Sequence, residues 1–216
     1  MARTLDLYHL ISQPESYRDE EWERAFLQSF VEANVAITSD EPQNGPDGWP
    51  YLFVKTSAEG KEPVPRVLSW LSERGIGVAV NPHKMVPDYI FTYGMIWNYR
   101  ETGQFLAPME SVAADRVSYK KEDKWIFGAP TEKYLPQYVR RVLREFFTAQ
   151  KMNQPKILVA TSPDFKQTDL LVSLESLGLP GAQDHRRIAE FIGWFLPMHY
   201  SIVLANEMGL PKFSTM

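Results

Sequence analysis

Residues 65–99 read PRVLSWLSERGIGVAVNPHKMVPDYIFTYGMIWNY, and the architecture of the chain turns on how they are parsed. Pro65 stands in the first turn of a helix, where proline is tolerated, and Gly75 stands where a helix stops. Between them Val67, Leu68, Trp70 and Leu71 supply a buried face. Ile76-Gly77-Val78-Ala79-Val80 is a nearly continuous apolar run, the pattern of a strand buried on both sides. Asn81-Pro82 turns the chain. From Asp88 onward the residues alternate, with Tyr89, Phe91, Tyr93, Met95, Trp97 and Tyr99 on one side and Ile90, Thr92, Gly94, Ile96 and Asn98 on the other. Period two predicts a long strand, although 95–98 also admits a helix.

Working outward to the N-terminus, Leu5, Leu7, Leu10 and Ile11 predict a short helix or edge strand that Pro14 ends. Trp22, Ala25, Phe26, Ser29, Phe30 and Ala33 recur at helical spacing, with Ser16 or Asp19 as the cap and three acids in the first turn. Strands are expected at 35–38 and 51–56, separated by the loop SDEPQNGPDGWP. Beyond residue 99, Thr102-Gly103-Gln104 reads as a hairpin turn, 108–122 is polar without period, and Trp125-Ile126-Phe127 is a short strand. The composition shifts near residue 130, which places a boundary there between units 1–130 and 131–216. The second unit reads α-β-β-α-β: a helix from Pro136 to Gln150, strands at 156–161 and 168–174, a helix from Asp184 to Leu196, and a strand at 200–205. The expected fold class is α+β, two small units of mostly antiparallel sheet with helices on one face.

The bulk properties limit the function classes. The 216 residues suffice for a real core, and the 44% hydrophobic and 23% charged content is ordinary globular usage. The 13% aromatic content is high. A net charge of −4 argues against nonspecific nucleic-acid binding. Residues 1–130 carry 13 basic against 19 acidic side chains, and residues 131–216 carry 10 against 8. There is no cysteine, which excludes disulfides, thiolate chemistry and cysteine zinc sites. MARTLDLYHLISQPES lacks the basic-then-apolar pattern of a secretory leader, no apolar run reaches membrane-spanning length, and a cytoplasmic location is expected.

The order of elements resembles the SseB (enhanced serine sensitivity) family of bacterial proteins. Tyr51 to Thr56 before a helix, Val67-Leu68-Ser69-Trp70-Leu71, and Gly77-Val78-Ala79-Val80-Asn81-Pro82 look like that family's N-terminal domain. Leu135-Pro136 opening a helix, the strand pair at 156–161 and 168–174, and a final strand after Leu196-Pro197 look like its C-terminal domain. The resemblance implies an accessory protein, in a family sometimes linked to amino-acid or sulfur metabolism or to secretion, and carries over no catalytic residue.

The residues are equally sparing with chemistry. The four histidines have no metal-ligand spacing, and no Walker loop, Gly-x-Gly-x-x-Gly or Gly-x-Ser-x-Gly elbow is present. No cofactor or metal is expected. His83, after the buried strand, could pair with Asp88 as a general base in a cleft between the halves of a hydrolase-like enzyme; a solvated turn histidine is the simpler reading. The acids Asp40, Glu41 and Asp47 fit a solvated loop better than a calcium loop. Trp49, Tyr51, Tyr89, Phe91, Tyr93, Trp97 and Tyr99 form a recognition platform if their strand face is exposed, and core if a helix covers it, core being the commoner outcome. Arg140, Arg141 and Arg144 are candidates for an acidic partner or for an ordinary solvated face. The leading expectation is therefore a protein-binding protein, with no nucleic-acid or membrane partner. The alternatives are the small enzyme around His83 and Asp88 and a self-associating homodimeric subunit.

Overall fold

The computed structural model describes residues 6–57, 59–108, 119, 124–152 and 154–216. The chain forms two compact units that divide between Phe105 and Leu106. The composition shift near residue 130 is not the boundary, because the strand at Ile126–Gly128 is hydrogen-bonded into the second sheet.

Unit 1 begins with α1 (Leu7–Ser12) and α2 (Glu20–Val31). Asp19 caps α2 by accepting from the Trp22 amide at 2.9 Å, one of the two caps expected. Strands β1 (Asn34–Ile37), β2 (Gln43–Asn44), β3 (Pro50–Lys55) and β4 (Glu62–Pro63) precede α3 (Val64–Leu71). Then come β5 (Gly77–Val80), β6 (Tyr89–Phe91) and α4 (Tyr93–Thr102). The sheet runs β4-β1-β3-β5-β6, with β2 also on β3. Every pair is antiparallel except β3 with β5, which α3 connects as a crossover. Gly77 is required in β5, since a Cβ there would lie 2.6 Å from the Phe91 carbonyl oxygen and 2.7 Å from the Tyr51 ring.

Directly paired residues share a face. Leu52, Val54, Val78, Val80, Tyr89 and Phe91 therefore point to one side. There α2 lays Phe26 against Tyr89 at 5.0 Å and Phe30 against Phe91 at 4.9 Å.

The long strand expected over 88–99 is not formed. Only Tyr89–Phe91 is strand. Thr92 then caps a helix by accepting from the Met95 amide, and Gly103, at φ 74°, ends it by donating to the Tyr99 carbonyl. Thr102-Gly103-Gln104 is thus a helix stop, not a hairpin. Residues 93–98 are all buried. A helix buried all round shows no polar stripe, and a fully apolar stretch satisfies a strand template as readily as a helical one.

Unit 2 contains β7 (Ile126–Gly128), α5 (Gln137–Ala149), β8 (Lys156–Thr161) and β9 (Thr168–Ser173). These are followed by α6 (Ala182–Trp194), β10 (Ser201–Ala205) and β11 (Ser214–Thr215). The sheet order is β10-β9-β8-β11, with β7 also paired to β8. The expected α-β-β-α-β core is present, flanked by β7 and β11. β8 and β9 form the expected hairpin, whereas β10 is parallel to β9 through α6, so the sheet is mixed. α6 starts two residues before Asp184, which lies in its first turn instead of capping it. Of the polar stretch 108–122, all but 108 and 119 lie outside the described residues, as does Leu5.

Candidate functional site

The end of β5 is closed by a polar joint. Asn81 adopts a left-handed backbone, φ 53°, which asparagine tolerates better than most residues. Its side-chain carbonyl accepts from the Thr56 amide, and its Nδ2 donates to Thr56 Oγ1 and to Asp88 Oδ2, both at 2.7 Å. The Asp88 side chain is 1% exposed. It also accepts from Lys84 Nζ at 2.6 Å and Arg18 Nη2 at 2.8 Å. Burial raises the Asp88 carboxyl, but the hydrogen bonds from Lys84, Arg18 and Asn81 and the Lys84 charge outweigh it and hold the group below the usual carboxylate value. Arg18 further donates to the Ile11, Gln13 and Asp88 carbonyls and lies 4.8 Å over the Trp22 ring.

His83 is exposed and is not among the partners of Asp88. The general-base pair expected of these two residues is not made. A carboxylate held ionised by two cations and an amide is a poor proton acceptor, so Asp88 is a joint and not a base. A polar cavity of about 440 Å³ opens beside it, lined by Ile11, Gln13, Glu15, Arg18, Lys84, Val86, Pro87 and Asp88.

The aromatic platform is likewise not assembled. Phe91, Tyr93 and Trp97 are core residues, each 2% exposed or less. Tyr93 donates to the Ser72 carbonyl and so ties α4 to the end of α3. Tyr89 is half-buried and donates to Glu23 at 2.6 Å; burial and that carboxylate push its hydroxyl well above the ordinary tyrosine value. Tyr99 stacks on Phe105 at 4.5 Å, and Trp49 is half-buried with its amide donating to Asp47. The covering helix is α2, joined by α4, whose residues the alternating pattern places in the strand itself.

The three arginines of α5 are not a free cationic patch. Arg140 donates to the Leu135 and Pro130 carbonyls, each at 2.7 Å, and holds the turn that precedes its own helix. Arg144 donates to the Met216 carbonyl at 3.1 Å. Arg141 is exposed. Unit 2 also holds a fully buried carboxylate, Asp169, which accepts from the Tyr119 hydroxyl at 2.9 Å and from Gln167 Nε2 at 3.1 Å. Nearby, the buried Tyr134 hydroxyl and His199 Nδ1 have no hydrogen-bond partner among the described residues. Burial lowers the His199 imidazole from its usual value.

The strongest recognition geometry among the described residues lies away from all of these. On the helix-bearing face of unit 1, Ile37, Leu52, Val67 and Trp70 line a groove of about 360 Å³, with Asp40, Glu62 and Arg66 around it. Leu52 and Val67 form a buried floor, while Ile37 is 42% and Trp70 45% exposed. The sequence pattern places Trp70 on the buried face of α3. That face is made by Val64, Val67, Leu68 and Leu71 instead, and Trp70, three residues after Val67 and one before Leu71, falls on its shoulder. Arg74 lies 4.3 Å from the centre of the Trp70 ring and donates to the Trp70 carbonyl, so the indole is held in place though exposed. Arg66 pairs loosely with Glu62 at 3.9 Å; Asp40 has no hydrogen-bond or ion-pair partner among the described residues. The signal in the sequence was a tryptophan at the margin of an amphipathic stripe.

Among the described residues no group of three His, Asp or Glu side chains is placed to hold a metal, and no helix is long and apolar enough to cross a membrane. No family model, no curated protein and no solved structure matches the chain.

Proposed function

We propose that this chain is a non-enzymatic protein-binding protein whose unit 1 receives an apolar side chain of a partner, flanked by a basic residue, in the groove between α3 and β1. The observation that carries this reading is the exposed pair Ile37 and Trp70 above the buried Leu52 and Val67. Tryptophan is among the residues most enriched at binding hot spots. The unpartnered Asp40 and the loosely paired Glu62 favour a basic flank over an acidic one. The weakly acidic net charge supports a protein partner over a nucleic acid. Cytoplasmic location and kinship with the SseB family belong to the same proposal. The second is supported by the strand ending in Asn81-Pro82 and by the hairpin, helix and final strand of unit 2.

The test is selection of a displayed peptide library on the wild-type protein, with counter-selection on a Trp70→Ser variant shown to be folded. Enrichment of peptides carrying an aromatic or aliphatic residue beside Lys or Arg is the expected result. Equal recovery on both proteins would remove the groove as the binding surface.

A further inference from the structure

The hairpin that joins β8 to β9 is built to present one side chain. Ser162 Oγ donates to Asp164 Oδ1 at 2.7 Å, and the amides of Lys166 and Gln167 donate to Asp164 Oδ1 and Ser162 Oγ. The Ser162 amide donates to the Gln167 carbonyl and the Phe165 amide to the Ser162 carbonyl, each at 2.9 Å. These bonds hold Phe165 at φ 59°, a backbone conformation that glycine or asparagine adopts at lower cost. The ring is 73% exposed at the tip. An ordered turn thus keeps a large aromatic in water, at a position where its backbone is disfavoured. Nothing in the packing of unit 2 calls for phenylalanine there.

We infer that Phe165 of one copy seats in the Ile37–Trp70 groove of a second copy, so that the chain associates head to tail. This rests on the groove reading above and names its occupant. Both halves of the contact are exposed apolar surfaces of the same molecule. The groove volume, about 360 Å³, lies within the roughly 300–1,000 Å³ range of clefts that take small ligands, and so has room for a benzyl group. Charge favours the pairing at two scales. Residues 1–105 carry 9 basic and 15 acidic side chains, a net of −6; residues 106–216 carry 14 and 12, a net of +2. Locally, Lys166 follows Phe165 and pairs with Asp164 at 3.7 Å, with both side chains well exposed. Such a surface pair contributes little, so Lys166 is free to exchange Asp164 for the unpartnered Asp40 at the groove rim. A knob on one unit and a hole on the other make a heterologous contact, which propagates into rings or chains instead of stopping at a symmetric dimer. One side chain in one groove buries far less than the roughly 1,000 Å² of a stable interface, so the association is weak and reversible.

Sedimentation velocity of the full chain from micromolar to millimolar concentration tests this. The wild type should shift to larger species as concentration rises, and added salt should weaken the shift. Phe165→Asn, which removes the knob and suits the left-handed backbone, and Trp70→Ser, which removes part of the groove, should each remain monomeric while keeping wild-type circular dichroism. Ile37→Lys is a second groove variant should Trp70→Ser fail to fold. Mixing the knob variant with a groove variant leaves one intact knob and one intact groove, and should restore a complex of two chains and no larger. A wild type that stays monomeric throughout, or a mixture that stays monomeric, overturns the inference. Association that survives Phe165→Asn but not a groove variant overturns the knob and leaves the groove as a binding surface. Peptide selection that succeeds while self-association fails sinks only the second-copy occupant; failure of both sinks the groove itself.

Discussion

Among the described residues each unit buries one carboxylate, and the two are satisfied in different ways. Asp88 in unit 1 accepts from two cations, Arg18 and Lys84, and from the Asn81 amide. Asp169 in unit 2 accepts from a phenol and a carboxamide, with no cationic partner among the described residues. Asp88 cross-links three segments distant in sequence: the α1–α2 connection, the β5–β6 turn and, through Asn81, the end of β3. Asp169 binds Tyr119 to the start of β9. Removing a carboxylate that pairs with two cations strands their charges, whereas one held by neutral donors leaves only hydrogen-bonding groups behind. The same residue type at similar burial therefore carries different penalties.

The largest effect expected is from Asp88→Ala. It leaves Arg18, only 16% exposed, without its carboxylate, and should cost about 3–5 kcal/mol in urea unfolding. A loss under about 1 kcal/mol would show that the joint is not what holds the turn. The pH dependence follows from the same contacts. Asp88 in the folded protein sits below its unfolded value of roughly 3.9, so its contribution is fully present above that value and disappears as pH falls through the lower, folded one. The stability gap between wild type and Asp88→Asn should be constant near neutrality and close below about pH 4. A gap that persists unchanged into stronger acid would break the argument.

Smaller changes are expected in unit 2. Tyr119→Phe removes one donor to a buried carboxylate and should cost about 1.5–3 kcal/mol. Asp169→Asn keeps an acceptor for Tyr119 and should cost less than Asp88→Asn when both are measured by the same denaturant titration. If Asp169→Asn is the more damaging, the distinction between charged and neutral satisfaction fails. The smallest effect belongs to His83→Ala, which should stay within about 0.5 kcal/mol of wild type, since His83 is exposed and does not bond Asp88. A larger loss would place His83 in the joint after all.

Much of the fold was legible because its signals were local. Asp19 before an apolar stripe, Pro136 before another and the apolar run 77–80 each state their element without help from the rest of the chain. The first turns of α4, residues 93–98, were not legible as helix, because burial on every side erased their helical stripe. The candidate site was legible only in fragments. Asp88 was singled out, but for a pairing with His83, when its partner Arg18 lies seventy positions away in sequence. The arginines of α5 read as free charge because the carbonyls they bind leave no mark in residue types.

By itself the sequence determined two α+β units, the places of most helices and strands, and the lack of cysteine chemistry. Those properties follow from periodicity, caps and composition, which act over a few residues. Tertiary structure alone decided that Phe91, Tyr93 and Trp97 are core while Trp70 stands at the surface, that one strand pair in each sheet is parallel, and that Asp88 is neutralised. The physical reason is that exposure and charge pairing depend on what the rest of the chain lays against a residue. A tryptophan carries the same hydrophobic weight in sequence whether a helix covers it or water does.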